Sequence, residues 1–385
     1  MTSRLIVNSI RHTGGSADAV TLASDGTCTA NITNNLSNRN LIINGAMQVA
    51  QRGTSSSVNG YSTIDRFRTA NSANNENPSQ AQVDVASGTT PYTLGFRKAF
   101  RLTNGNQTGG VGNADADVAI RYSVEAQDLA QSGWNHKSTS SFITLSFWVK
   151  ASVAQNYYGY FLTLDGTTRI YPFETGSLTA DTWTKVTKII PGNSILDVNN
   201  DNGEGLRIEW RPYTGTNKTD SGVTLNAWAT FASATRTPNY TSTWYTTDDA
   251  TFEITGVQLE VGSVATDFEH RSYGQELSLC QRYYIRLTAG GSNPLHFTGS
   301  TKQQQYVSCA RVELPTTMRT APSISFTGTR DILNYSNDNS GYSGDKIDVN
   351  SFNVRWGSSN TIGDGTAYTA ALTGDPNYID VSADL

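Results

Sequence analysis

At 385 residues the chain is long for one domain, and two or three folded units are expected. A net charge of -5 with only 16% charged residues leaves no basic footprint, which excludes a nucleic-acid reader. The cysteines, Cys28, Cys280 and Cys309, form no CxxC pair and the four histidines are scattered, so a zinc cluster has no ligand set. The three thiols read as buried and free, with a Cys280–Cys309 meeting in the last unit as the alternative. No apolar run approaches the ~20 residues of a membrane span, so membrane insertion is not expected. Met1 to Ile10 lack a secretory pattern, which points to synthesis and folding in a cytoplasm. Abundant Gly, Tyr, Thr and Asn favour strands and turns over helices.

Residues 1–38 hold short β runs, Leu5-Ile6-Val7 and Ala19 to Leu22, broken by Gly14-Gly15 and closed by Asp25-Gly26. Leu5, Ile6, Val7, Ile10, Val20 and Leu22 are the sizeable apolar groups. At about 1.5–3 kcal/mol per buried side chain they cannot offset roughly 1–2 kcal/mol of backbone entropy per ordered residue. The segment therefore orders on neighbouring chains or a docking surface, or stays a flexible tail.

Residues 39–270 carry the strongest period-2 pattern. Ile143, Leu145, Phe147 and Val149 share one face of a strand, with Thr144, Ser146, Trp148 and the outward charge Lys150 on the other. Leu206, Ile208 and Trp210 alternate with Arg207, Glu209 and Arg211, which makes Trp210 a core residue. Tyr158, Tyr160, Leu162 and Leu164 form a third row, ended by the hairpin signal Asp165-Gly166. Phe252 and Ile254 are out of phase with Val257, Leu259 and Val261, and a one-residue bulge at Thr255-Gly256 would bring all five to one core. Ten to twelve such strands, on the order expected of a two-sheet sandwich, suit the jelly-roll type. Short helices are expected over Val124 to Ala130 and, behind a capping box at Ser272 to Gln275, over Glu276 to Arg282. The strands then return at Tyr283–Leu287, Gln305–Leu314, Ser323–Phe326, Phe352–Trp356 and Tyr378–Val381, with the polar stretch Asn334–Asp348 as a loop or pair of loops.

Catalytic signatures are missing from this pattern. His12, His136, His270 and His296 lack a GxSxG-like context, and no phosphate loop occurs. Asp197 to Glu204 alternates oxygen-bearing residues as calcium loops do, but its glycine is out of place and Ile208 stands where the closing Glu belongs, so a plain hairpin loop is the reading. No metal and no cofactor are expected. Trp148 and Tyr213 are the candidate carbohydrate-binding residues, because aromatic faces stack on the apolar faces of sugar rings. For Trp148, packing beneath a neighbouring loop, helix or subunit stands open beside sugar contact.

Several runs, in order, resemble one family. Arg39 to Gly53 carries Asn44, Gly45, Gln48, Gln51, Arg52 and Gly53; Tyr61 is followed by Asp65-Arg66-Phe67. Then come Thr144 to Ser152, Thr182 to Val186, Thr255 to Gly262 with Ala265-Thr266 and Phe268-Glu269, and Arg271 to Tyr284. The set is similar to virion proteins of tailed bacteriophages, of the tail-fibre or head-fibre kind, with a carbohydrate-binding-module-like jelly roll. Ala46, Ala50 and Asp267 depart from the pattern, and Ile379 to Leu385 resemble the family's closing strand more weakly. The resemblance implies a structural protein of the virion, often a trimer, with its N-terminus on the particle and its C-terminal part facing the host.

The expectation is an all-β chain. It consists of a short extended N-terminal anchor (1–38) for virion attachment and oligomerisation, a jelly-roll β-sandwich (39–270), a linker helix (271–282) and a second, smaller β domain (283–385). The expected partners are copies of the chain in a homotrimer, other virion proteins through residues 1–38, and host-surface polysaccharide. The leading reading is a non-catalytic tail fibre or similar appendage. The alternatives are a polysaccharide depolymerase, disfavoured by the lack of a 20–30-residue β-helix repeat, and a head or tail decoration without ligand.

Overall fold

Strands dominate the chain wherever β-branched and aromatic residues alternate with polar ones, and the turns between them fall at Gly, Asn and Asp. The computed structural model describes residues 7–11, 13–14, 18, 20–22, 24, 28–30, 39–107, 114–288, 295–303, 306–332, 342–357 and 367–385. Near the N-terminus β1 (Ser9–Ile10), β2 (Val20–Leu22) and β3 (Cys28–Ala30) make a small antiparallel sheet. Leu5 and Ile6 lie outside the described residues, as do His12 and the side chains of Cys28 and Cys309. Cys280 is a buried free thiol.

Twelve strands follow: β4 (Ser55–Ser56), β5 (Phe67–Thr69), β6 (Ser79–Asp84), β7 (Lys98–Thr103), β8 (Asp117–Glu125), β9 (Phe142–Ala151), β10 (Asn156–Thr163), β11 (Arg169–Ser177), β12 (Thr184–Pro191), β13 (Glu204–Thr214), β14 (Ala229–Thr230) and β15 (Thr251–Val261). They form two six-stranded antiparallel sheets, a front sheet β12-β9-β15-β7-β6-β4 and a back sheet β14-β11-β10-β13-β8-β5. The chain passes repeatedly between the sheets, as in a jelly roll. Their inner faces enclose one core, to which β9 gives Ile143, Leu145, Phe147 and Val149, and β13 gives Leu206, Ile208 and Trp210. The β15 register shifts between Thr255 and Gln258, with Gly256 at φ +59°, and this bulge brings Phe252, Ile254, Val257 and Leu259 to the same core.

Two details differ from the sequence pattern. On β10 the core takes Tyr157 and Phe161, while Tyr160 and Leu162 face the opposite way, buried with Ile170 beneath Phe231. Both faces of that strand are covered, so alternation alone could not choose the inward one. Lys150 is not a bare outward charge: its Nζ lies 3.0 Å from the carboxylate of buried Glu253.

Three helices are short: α1 (Thr90–Thr93), α2 (Ala126–Ala130) and α3 (Tyr273–Gln281). Val124, expected at the start of α2, belongs to β8. The capping box of α3 is formed, Ser272 Oγ accepting from the Gln275 amide and the Gln275 side chain accepting from the Ser272 amide.

The last sheet contains β16 (Tyr284–Leu287), β17 (Leu295–Gln303), β18 (Tyr306–Glu313), β19 (Ser323–Ile332), β20 (Tyr342–Asp345), β21 (Ser351–Gly357) and β22 (Ala367–Ser382), around a second core with Ile285, Phe352, Val354, Leu372 and Ile379. The sequence pattern does not reveal β17, and β20 lies inside the stretch expected to be loop; residues 334–341 are outside the described residues. Tyr342–Asp345 has almost no apolar content and is a strand because β21 supplies its ladder.

The motif residues that carry the family resemblance gather where the sandwich meets this last sheet. Asn44, at φ +62°, donates through Nδ2 to the carbonyls of Val49 (2.9 Å) and Asp65 (3.0 Å), and its amide donates to Glu276 of α3 (2.5 Å). Gln51 donates to the Tyr284 carbonyl (2.8 Å), and Tyr61 Oη to the Leu385 carbonyl (2.6 Å). Arg52 pairs with Asp384 and lies over the Tyr284 ring at 3.4 Å. Arg282 donates twice to Glu125, at 2.8 Å each, and Tyr283 Oη donates to the same carboxylate. Burial pushes the Glu125 carboxyl up, but the bonds from Arg282 and Tyr283 outweigh it and hold the group below the ordinary range.

Candidate functional site

Trp148 stands on the outer face of the front sheet, directly across from Lys185 on β12 and from Thr255 on β15. The chain after β15 folds back over that face. Glu260 accepts from the Thr266 amide (2.8 Å) and Thr144 Oγ1 donates to the Gly262 carbonyl (2.7 Å), so the upper part of the face is roofed. The roof ends in Phe268, whose ring meets Phe96 and His270, each at 4.9 Å. Phe96 lies directly on the Gly256 bulge, where an added Cβ would come within 2.6 Å of the ring. His270 Nε2 is 2.9 Å from the Leu94 carbonyl.

These elements surround a hollow of about 270 Å³ with Trp148 half-buried in its wall. The aromatic lining residues are Trp148, Phe268 and His270 with buried Phe96 beneath them, and the polar ones are Ser146, Lys185, Thr266 and Asp267. Mixed apolar walls with a few convergent polar groups are what small-ligand sites need. Trp148 thus packs partly under the 262–270 segment and partly borders an open recess.

Tyr213 lies elsewhere. Its side chain is buried and its ring stacks on Tyr245 at 3.8 Å between centres, 15° from parallel. The structure does not bring Tyr213 and Trp148 together.

Two further hollows were not foreseen from the sequence. One, of about 390 Å³, lies between the outer face of β11 and the chain leading into β14, with Trp228 in its wall. The other, of about 200 Å³, is polar and lined by Glu76, Asp248 and Asp249 among others, with no aromatic residue. Trp228 sits in an irregular stretch where no periodicity marks it.

The oxygens of the Asp197–Glu204 segment are engaged locally: Asp197 with Lys137 (2.7 Å) and Asp201 with the Gly203 amide (2.8 Å). Among the described residues no group of three His, Cys, Asp or Glu side chains is placed to hold a metal ion, and no helix is long and apolar enough to cross a membrane. His136 stands beside Trp134, and His296 is exposed on β17.

No protein-family model matches the chain, and no curated protein sequence does. Among solved structures, the enzymatically active domain of tailspike protein 4 of bacteriophage CBA120 matches 58% of this chain at 10% identity, with a TM-score of 0.31. That match spans 21% of the tailspike domain's own length. The N-terminal cellulose-binding domain of Cellulomonas fimi β-1,4-glucanase C matches over 57% of this chain and 99% of its own, at 10% identity and a TM-score of 0.26. The family 11 carbohydrate-binding module of Clostridium thermocellum matches over 55% and 98%, at 10% identity and a TM-score of 0.25.

Proposed function

We propose that this chain is a structural component of a tailed-phage particle, a tail fibre or similar appendage, that touches host-surface polysaccharide through the Trp148 hollow. The observation that carries the reading is the hollow itself, a recess large enough for a sugar ring that is bordered by Trp148, Phe268 and His270 over buried Phe96 and by the polar residues Ser146, Lys185, Thr266 and Asp267. The ordered motif resemblance over residues 39–284 supports the virion assignment. In this reading residues 1–38 attach the chain to the particle, because so short a segment with so few large apolar groups needs neighbouring chains or a docking surface to be ordered, and the resemblance to fibre proteins supports a homotrimer as the assembled form.

A depolymerase of the common hydrolytic kind uses two carboxylates flanking a bound sugar. Asp267 is the one carboxylate lining the Trp148 hollow, and the hollow with three carboxylates offers no aromatic face to hold a ring. Binding without cleavage is the simpler use of both. Antibody or tag labelling of purified particles tests the virion assignment: label on an appendage supports it, and particles lacking the chain altogether would reject it. Sedimentation of the full-length chain should give a trimer; a monomer at high concentration removes the assembly part of the proposal.

A further inference from the structure

The stretch joining β13 to β15 crosses the outer face of the back sheet and is tied down at spaced points. Asp117 takes Lys218 (2.5 Å) and Arg236 (3.1 Å), and the Asp220 amide donates to the Thr237 carbonyl (3.1 Å). Further along, the Asn226 amide donates to the Pro172 carbonyl (2.8 Å) and the Phe231 amide to the Thr168 carbonyl (3.0 Å). Trp228 Nε1 reaches across to Pro191 of the front sheet (2.8 Å). The hollow of about 390 Å³ is a surface recess, and these bonds to both sheets fix its walls.

Its chemistry is specific. Ile170, Pro172 and Val223 give apolar walls. Trp228 leans on Tyr171 at 5.2 Å, and with its N–H committed to Pro191 it has only π surface left to offer. On the rim, exposed Asp220 accepts from the Gly222 amide (2.6 Å), and its carboxylate has further acceptor positions. Among the described lining residues Asp220 is the single charged side chain.

We propose that this recess is a second ligand site, separate from the Trp148 hollow, for a pyranose ring without acidic substituents. The apolar face of the ring lies against Trp228, and a hydroxyl or ammonium group donates to Asp220. A uronic acid would place a second anion beside that carboxylate and is rejected. The choice of a sugar as ligand rests on the glycan-contact reading above; the recess and its sign of charge do not.

The test uses the full-length chain with 13C-labelled isoleucine δ1-methyl groups, so that Ile170 reports on this recess alone. Methyl glucoside, methyl glucosaminide and methyl glucuronide are titrated separately. Ile170 is expected to shift with the first two and not with the third. Asp220→Lys, on an exposed rim, should weaken the glucosaminide by about tenfold or more, with the remaining isoleucine signals as the folding control. Trp148→Ala should leave the Ile170 response intact. No Ile170 shift with any sugar, equal response to the glucuronide, indifference to Asp220→Lys, or loss of the response in Trp148→Ala would each overturn the proposal. Loss of polysaccharide binding at the Trp148 hollow is read on Trp148→Ala separately, so the two readings fail independently.

Discussion

The guanidinium carbon of Arg66 lies 3.4 Å from the centre of the Tyr283 ring, across the seam between the sandwich and the last sheet. Arg66 is fully buried, with Tyr122 at 5.2 Å and one hydrogen bond, 2.5 Å, to the Ser123 carbonyl. Among the described residues its Nε and Nη1 have no hydrogen-bond partner. The aromatic faces, not a carboxylate, hold this cation.

Arg66→Lys should therefore be damaging although it keeps the charge, because an ammonium cannot spread flat over the rings. A loss of about 2 kcal/mol is expected, the size of a desolvated cation–π contact. Denaturant unfolding of the two chains measures it. Equal midpoints would show that charge alone matters at this position.

Asp65 predicts an unusual pH dependence. Burial raises its carboxyl from 3.8 to about 6, against the lowering effect of Gln51 and Arg52, while Asp384 adds to the rise. The unfolded value lies below the folded one, so the cost of burying this charge is absent below about pH 3.8 and complete above about pH 6. Relative to Asp65→Asn, the wild type should gain roughly 2 kcal/mol on going from pH 7 to pH 4.5. Glu125, held low, has the opposite sign: its contribution is present above its ordinary value of 4.5 and lost as pH falls through the folded value. Melting Asp65→Asn and wild type side by side isolates the Asp65 part, and parallel curves would contradict the assignment.

Gly45 sits where no side chain fits. A Cβ there would be 2.1 Å from the Val257 carbonyl oxygen, a backbone atom of the central strand β15 that cannot turn aside. Gly45→Ala should cost about 3 kcal/mol or more by overpacking. Thermal unfolding checks this; a variant melting within a degree of the parent would show that the segment can shift freely.

Phe147→Ala should cost about 3–5 kcal/mol, as a fully buried ring in the main core. Lys150→Ala should cost about 1 kcal/mol, because Glu253 is buried and, among the described residues, keeps Arg101, 2.6 Å away, as its other cation. If Lys150→Ala melts like wild type, the Lys150–Glu253 contact contributes nothing.

Much of the sandwich was legible in the sequence for a local reason. Strands β9 and β13 have one apolar face each, so alternation names the buried residues, and the parity change near Gly256 names the bulge. Strand β10 escaped because Phe231 covers its second face, which no local pattern contains. Strands β17 and β20 escaped because pairing with β22 and β21 makes them strands. Trp148 could be singled out as the aromatic opposite an apolar row; Phe96, Phe268 and Trp228 could not, because irregular segments bring them to their hollows. The junction motif was visible only as a string of residues, and its meaning as a seam of Asn44, Arg52, Arg66 and Tyr283 emerges from distances across more than two hundred positions.

The most direct test of the account is to mix full-length chain with purified envelope polysaccharide of the host, and to follow both binding and polymer length. In a chain already carrying Asp220→Lys to weaken the second recess, the account predicts binding that Trp148→Ala reduces by about tenfold or more, as loss of one stacked aromatic would, with polymer length unchanged. Shortening of the polymer, or binding that survives Trp148→Ala undiminished, would contradict it.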